Sequence, residues 1–345
     1  MNPVLYPKDR RIFNTNGYGV LSDCVTCKAT EVLNGECEIS MTMPRSGNHA
    51  SEIAVDRIVL IKPNCSDEPQ PFRIYNVEDD IDGTIEVKAA HLGYDTAGIP
   101  ISQFTATSLY DATEHLNTDR ITTQESEFTV TADFEAEGEM KVTEPKSLKS
   151  LLGDGENTLI GTYGGEIHYD GFNIELLQRR GKDKGICFRY RKNITEFEME
   201  SSSEEVYTGV VGYWKNSNTL VNGTIQSTGI TASYDKILVL DTSDKIKNAN
   251  DAAATTEQIN DYVQSYIQAN SPGSPKYNMK ISYTEDDNII KINLGDTVAV
   301  LIPEFGIKAY GRVHKVVYNC LLERNESIEV GSVDAGLPGD LANII

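Results

Sequence analysis

Short runs of alternating apolar and polar residues fill most of the chain, and turn residues punctuate them. In "EVLNGECEISMTM" (31–43), Asn34-Gly35 falls between two such runs, the strongest short hairpin signal. "EIAVDRIVLIKPN" (52–64) and "QPFRIYNVEDDIDGTIEVKAAHLGYD" (70–95) continue the alternation, with Asp82-Gly83 as a second tight turn. Residues 1–100 therefore predict a small antiparallel barrel or sandwich.

Beyond Ile101 the pattern is mixed. "SLYDATEHL" predicts a short helix, "ESEFTVTADFEAEGEM" interrupted strands, and "PKSLKSLLGDGENTLIGTYGG" helical turns broken by glycine. In "EIHYDGFNIELL" (166–177), a two-residue turn at Asp170-Gly171 pairs Tyr169 with Phe172 and Ile167 with Ile174 on an apolar face. The same register sets His168 opposite Asn173 and Glu166 opposite Glu175 on a polar face. "RRGKDKG" then turns into "ICFRYRKN" (186–193), predicting a three-stranded meander with Ile186, Phe188 and Tyr190 on the apolar side.

The clearest helix is "TTEQINDYVQSYIQA" (255–269): Ile259, Tyr262, Val263, Tyr266 and Ile267 recur at helical spacing. Thr255 and Gln258 form a capping box, and "NSPGSP" ends the helix. Short strands from 276 to 332 predict a second small barrel, joined by the strand in "EEVYTGVVGYW" (204–214), and the last dozen residues form a tail. The expected fold class is mainly β with α+β insertions. It divides into a first β-barrel (1–100), an α+β domain with the meander (101–198), a second β-barrel (199–222 and 276–335) and a helix-containing insertion (223–275).

The chain has 345 residues, enough for two or more domains, and 39% apolar content can supply their cores. A formal net charge of −21 opposes non-specific binding to nucleic acid. The N-terminus carries charges where a signal peptide needs apolar residues, and no run approaches membrane-spanning length. The six scattered cysteines are read as reduced thiols of a cytoplasmic product.

Candidate chemistry is sparse. His168 lies between Glu166 and Asp170, but on a polar hairpin face it is read as a solvated side chain needing no partner. Cys24 and Cys27 have redox or zinc spacing, with only Cys37 and His49 as further ligands, so neither a metal nor a cofactor is assigned. No HExxH, GxSxG or Walker loop occurs, so no catalytic residue is assigned either. The most informative feature is basic: Arg179, Arg180, Lys182, Lys184, Arg189, Arg191 and Lys192 fall in fourteen residues with one Asp. Phe188 and Tyr190 lie on the opposite face, which disfavours nucleotide stacking. The patch suits contact with an acidic surface on another copy or partner.

"LLGDGENTLIGTYGGEIHYDGFNIELLQRRGKDKG", with its Gly-Gly-Glu, aromatic hairpin and Arg-Arg-Gly, resembles the prophage endopeptidase tail, or tail-associated lysin, family of phage tail proteins. "QPFRIYNVEDDIDGTIEVKAAHLGYD" and "INLGDTVAVLIPEFGIKAYGRVHKVVYNCLLERNESIEVG" are similar to its first- and second-barrel segments, in the family's order. The resemblance implies a fold like the baseplate hub of contractile phages, with two related barrels and α+β insertions. It also implies a homotrimeric ring that caps the tail tube, passes DNA without holding it, and contacts the distal tail and receptor-binding proteins. The site of action would be the virion tail, after assembly in the host cytoplasm. Longer members carry a peptidoglycan-cleaving segment beyond the hub. This chain stops soon after the second barrel, so a non-enzymatic role is expected. The alternatives are a wall-degrading endopeptidase and a carbohydrate- or receptor-binding module.

Overall fold

The computed structural model describes the chain except residues 123–125, 203–205, 231–232, 247, 249–251, 271, 273–275, 284–290, 304–306 and 332–345, with backbone only at 201–202, 269, 276–277 and 307–309. The expected C-terminal tail and the start of "NIIKIN" (288–293) lie outside the described residues. The protein is mainly β, with 45% strand and 15% helix. It forms two compact units.

The first unit comprises 1–196, 281–298 and 312–330. Its strands β1 (Val4–Tyr6), β2 (Gly19–Val20), β3 (Thr26–Val32), β4 (Cys37–Pro44), β5 (Ile58–Ile61), β6 (Gln70–Asp79) and β7 (Thr84–His91) run antiparallel in the order β3-β4-β7-β6-β5-β1-β2. On the free side of β3, Lys315–Asn319 pairs antiparallel with Lys28–Val32. The predicted alternation produces this sheet: Cys37, Ile39, Met41 and Met43 of β4 are buried, as are Ile85, Val87 and Ala89 of β7. No closed barrel is found among the described residues. The β3–β4 hairpin forms around Asn34, whose left-handed φ of 55° suits the turn.

Residues 101–196 belong to the same unit. Helix α1 (Leu109–Thr118) is capped by Ser108, whose hydroxyl accepts from the Asp111 N–H at 3.2 Å. Two short helices, α2 (Leu148–Leu152) and α3 (Leu159–Tyr163), follow. Leu109, Leu116, Met140, Leu151, Leu159, Ile174 and Leu176 meet in one core.

The second unit comprises 197–280, 299–311 and 331–345. Gly209–Lys215, expected to join the strands after 276, instead pairs within a four-stranded sheet with Leu220–Asn222, Gln226–Ser227 and, in parallel, Ile237–Asp241. The helix predicted at 255–269 spans Thr256–Asn270. Thr255 and Gln258 exchange hydrogen bonds as the capping box requires, at 3.2 and 2.9 Å. Ile259 and Val263 from its apolar face pack with Val210 and the chain's single tryptophan, Trp214. Among the described residues no helix is long and apolar enough to cross a membrane.

Candidate functional site

The hairpin Glu166–Leu177 forms, but its turn sits one residue later than expected, at Gly171-Phe172, with Asp170 paired to Asn173. Gly171 takes the left-handed φ of 59°, and the side chain of Gln70 fixes the turn from outside. Gln70 Oε1 accepts from the Gly171 N–H at 2.6 Å, and its Nε2 donates to Asp170 at 2.9 Å. Each residue therefore meets a partner two positions further on, which leaves the two faces unchanged. Ile167 lies opposite Leu176, Tyr169 opposite Ile174, and His168 opposite Glu175.

That shift overturns the solvated reading of His168. Its Nδ1 lies 3.0 Å from Glu175 Oε2 and its Nε2 3.2 Å from Asp67 Oδ2, with only 18% of the side chain exposed. Burial alone would lower its pKa. The hydrogen bonds to Asp67 and Glu175 outweigh burial and push it up to about 9. Asp67 in turn is held below the usual carboxylate range: its burial acts upward, but the bond from His168 prevails. With both ring nitrogens committed to carboxylates, His168 is a cation at neutral pH and cannot accept a proton as a general base.

The basic stretch divides in two. Arg180 and Lys184 point inward. Arg180 Nη2 lies 2.7 Å from Glu31, a carboxylate set by the alternation of β3 at a buried position, and Nη1 donates to the Ile167 carbonyl. Lys184 Nζ lies 2.6 Å from Asp296, itself fully buried, which also accepts the N–H groups of Lys182 and Asn293. Such buried charges have to be paired, because an uncompensated one costs several kcal/mol. Glu166 completes the set. Arg312 Nη1 and Nη2 reach its two oxygens at 2.6 and 2.9 Å, and the Arg180 N–H adds a third bond.

Arg179, Lys182, Arg189, Arg191 and Lys192 are exposed. Arg179 donates to the Thr297 hydroxyl at 2.8 Å. Arg189 to Asn193 forms a tight turn: the Arg189 carbonyl accepts from the N–H groups of Lys192 and Asn193, and Asn193 Oδ1 accepts from the Arg189 N–H at 2.7 Å. The expected face is corrected at one position. Ile186 and Phe188 are buried, but Tyr190 is exposed, with the Arg191 guanidinium 5.6 Å from its ring centre.

The expected meander is also corrected. Asp183–Arg189 leaves the hairpin and pairs with the strand that begins at Thr297, while the hairpin's third strand is Thr129–Ala132, parallel to Asn173–Leu177. "RRGKDKG" is a crossover, not a hairpin turn. Gly181, at φ 70°, passes so close to Gly295 that a Cβ would stand 2.1 Å from the Gly295 carbonyl carbon.

Cys24 and Cys27 do not meet Cys37 and His49 at a metal site: no group of three or more His, Cys, Asp or Glu fit to hold a metal occurs among the described residues. Cys27 is buried beside Cys320, whose N–H donates to the Cys27 carbonyl at 2.9 Å. Hydrogen bonding with Cys24, then with Cys320, together with burial pushes the Cys27 thiol well up, so its thiolate is disfavoured. Sequence spacing could not reveal Asp67, Glu31, Asp296 or Arg312 as partners of the hairpin and the crossover, since all are remote in the chain.

Solved structures of tail proteins share this architecture. Prophage tail protein gp18 from Listeria monocytogenes EGD-e is 13% identical over 100% of this chain and 98% of its own, with a TM-score of 0.60. The tail protein from Neisseria meningitidis MC58 is 8% identical over 96% of both chains, at 0.62. The 43 kDa tail protein of prophage MuSo2 from Shewanella oneidensis is 11% identical over 96% of this chain and 98% of its own, at 0.61. The fold is that of prophage tail proteins. Residues 182–337, which include the second half of the crossover and most of the basic stretch, match the model of the prophage endopeptidase tail family, so the resemblance read from the sequence is shown. No curated protein matches the chain.

Proposed function

We propose that the chain is a non-enzymatic structural component of a phage or prophage tail. In this reading it is a distal or baseplate hub, in which three copies form a ring that caps the tail tube and anchors tip and receptor-binding proteins. The observation that carries the reading is the likeness in fold, over nearly the whole chain, to three tail proteins. The two related barrels and assembly in the host cytoplasm belong to the same proposal. A chain of formal charge −21 favours DNA passage without adhesion, because an acidic bore repels phosphate.

The family's description names an endopeptidase, which motivates the rival reading. The ionised clasp around His168 supports the structural one, since its charged groups are spent on each other. Copy number in purified tails, with gold labelling, tests the proposal. Three copies at the distal end are expected, and absence from tails overturns it. Clearing of bacterial cell wall by the pure chain, lost in His168→Gln, would establish the endopeptidase instead.

A further inference from the structure

A groove of about 730 Å³ opens on the first unit between helix α1 and the segment that runs from strand Thr129–Ala132 to Glu137. Its wall is acidic and aromatic. Glu114, Glu135 and Glu137 line it with no cationic partner among the described residues, and Tyr110 stands beside them 76% exposed. Thr129–Ala132 is an edge of its sheet, and Asn117 covers part of that edge by accepting from the Val130 N–H and donating to its carbonyl, both at 2.9 Å. That interaction gives the groove a fixed floor.

Elsewhere on the same unit stands the opposite charge. Arg189 and Lys192 are exposed, with no ion-pair partner among the described residues, on a turn already fixed by its own backbone bonds. A turn ordered in advance loses little conformational entropy on docking. Tyr110 adds an aromatic face suited to a guanidinium.

We propose that the turn Arg189–Lys192 of one copy seats in the Glu114/Glu135/Glu137 groove of the next. Charge complementarity selects this occupant. Two chains of formal charge −21 repel at a distance, so a self-contact has to oppose unpaired cations to unpaired carboxylates. Turn and groove are different surfaces, so the contact is heterologous, and repeating it generates a ring when the rotation closes. The inference rests on the hub reading only for the ring, and supplies the contact that a ring needs.

The test uses equal amounts of isotopically light and heavy full chains at millimolar concentration, joined by a carbodiimide that links lysine directly to carboxylate. The expected product is a mixed light–heavy peptide pair connecting Lys192 with Glu114, Glu135 or Glu137. Arg189→Glu with Lys192→Glu weakens self-association at least about tenfold, and adding Glu135→Lys with Glu137→Lys restores it. Circular dichroism confirms that each variant is folded. No self-association, or association indifferent to these reversals, overturns the inference. Three copies per tail in the Arg189→Glu/Lys192→Glu variant would overturn it while leaving the hub reading standing.

Discussion

Arg312 grips both oxygens of Glu166, with Nη1 2.6 Å from Oε1 and Nη2 2.9 Å from Oε2. The two residues lie on segments far apart in the chain, and the carboxylate also receives the Arg180 N–H. Burial would raise the pKa of Glu166, but the Arg312 bonds overcome that and hold it below the usual range. One side chain thus joins the hairpin, the crossover and the strand Ile307–Asn319 that carries Arg312.

Arg312→Gln should lower stability by about 2–3 kcal/mol, since it leaves a mostly buried carboxylate without its cation. Arg312→Lys should recover only part of the loss, because an ammonium cannot make the fork. Urea midpoints of the three proteins at neutral pH check the order.

The His168 clasp gives stability a definite pH dependence. The group binds its proton more tightly folded, at about 9, than unfolded, near 6.5. Its contribution is therefore complete below about 6.5 and is lost as pH rises through 9, to a total of about 3 kcal/mol. Asp67 and Glu166 have lowered pKa values, so their contributions hold above about 4 and fail as the solution is acidified. Urea unfolding should show a plateau between about pH 5 and 6.5 and a fall from there to about pH 9. His168→Gln should flatten the alkaline fall and weaken the acid one, because Asp67 loses the cation that lowers its pKa while Glu166 keeps Arg312.

Gly181 and Gly185 form a matched pair, with φ of 70° and 67°. Gly181→Ala meets the Gly295 backbone at 2.1 Å, whereas nothing lies within 4 Å of a Cβ at Gly185. Gly185→Ala should cost only the left-handed penalty of about 1–2 kcal/mol. Gly181→Ala should cost clearly more, because backbone has to move. Thermal melts of the two variants separate conformational strain from collision.

Local signals were legible where local physics decides. The Asn34 turn, the alternation of β4 and β7, and the Thr255–Gln258 capping box all appear in the structure as the sequence predicts. The 166–177 hairpin kept its faces but slipped its turn, because Gln70, a residue remote in sequence, holds Gly171 and Asp170. The meander failed for a similar reason. Asp296 takes the Lys182 N–H and the Lys184 ammonium, and so draws the chain away from the hairpin. The basic stretch read as one patch because composition does not separate Arg180, tied to Glu31, from Arg189, which faces solvent.

Because Lys315–Asn319 closes onto Lys28–Val32, strand β3 awaits a partner made much later in synthesis. Contacts of that sequence separation slow folding and leave an unsatisfied edge during translation. A ribosome-stalled chain ending before Gly311 should therefore be protease-sensitive at Thr26–Val32, and the nascent protein should depend on chaperones until Lys315–Asn319 emerges.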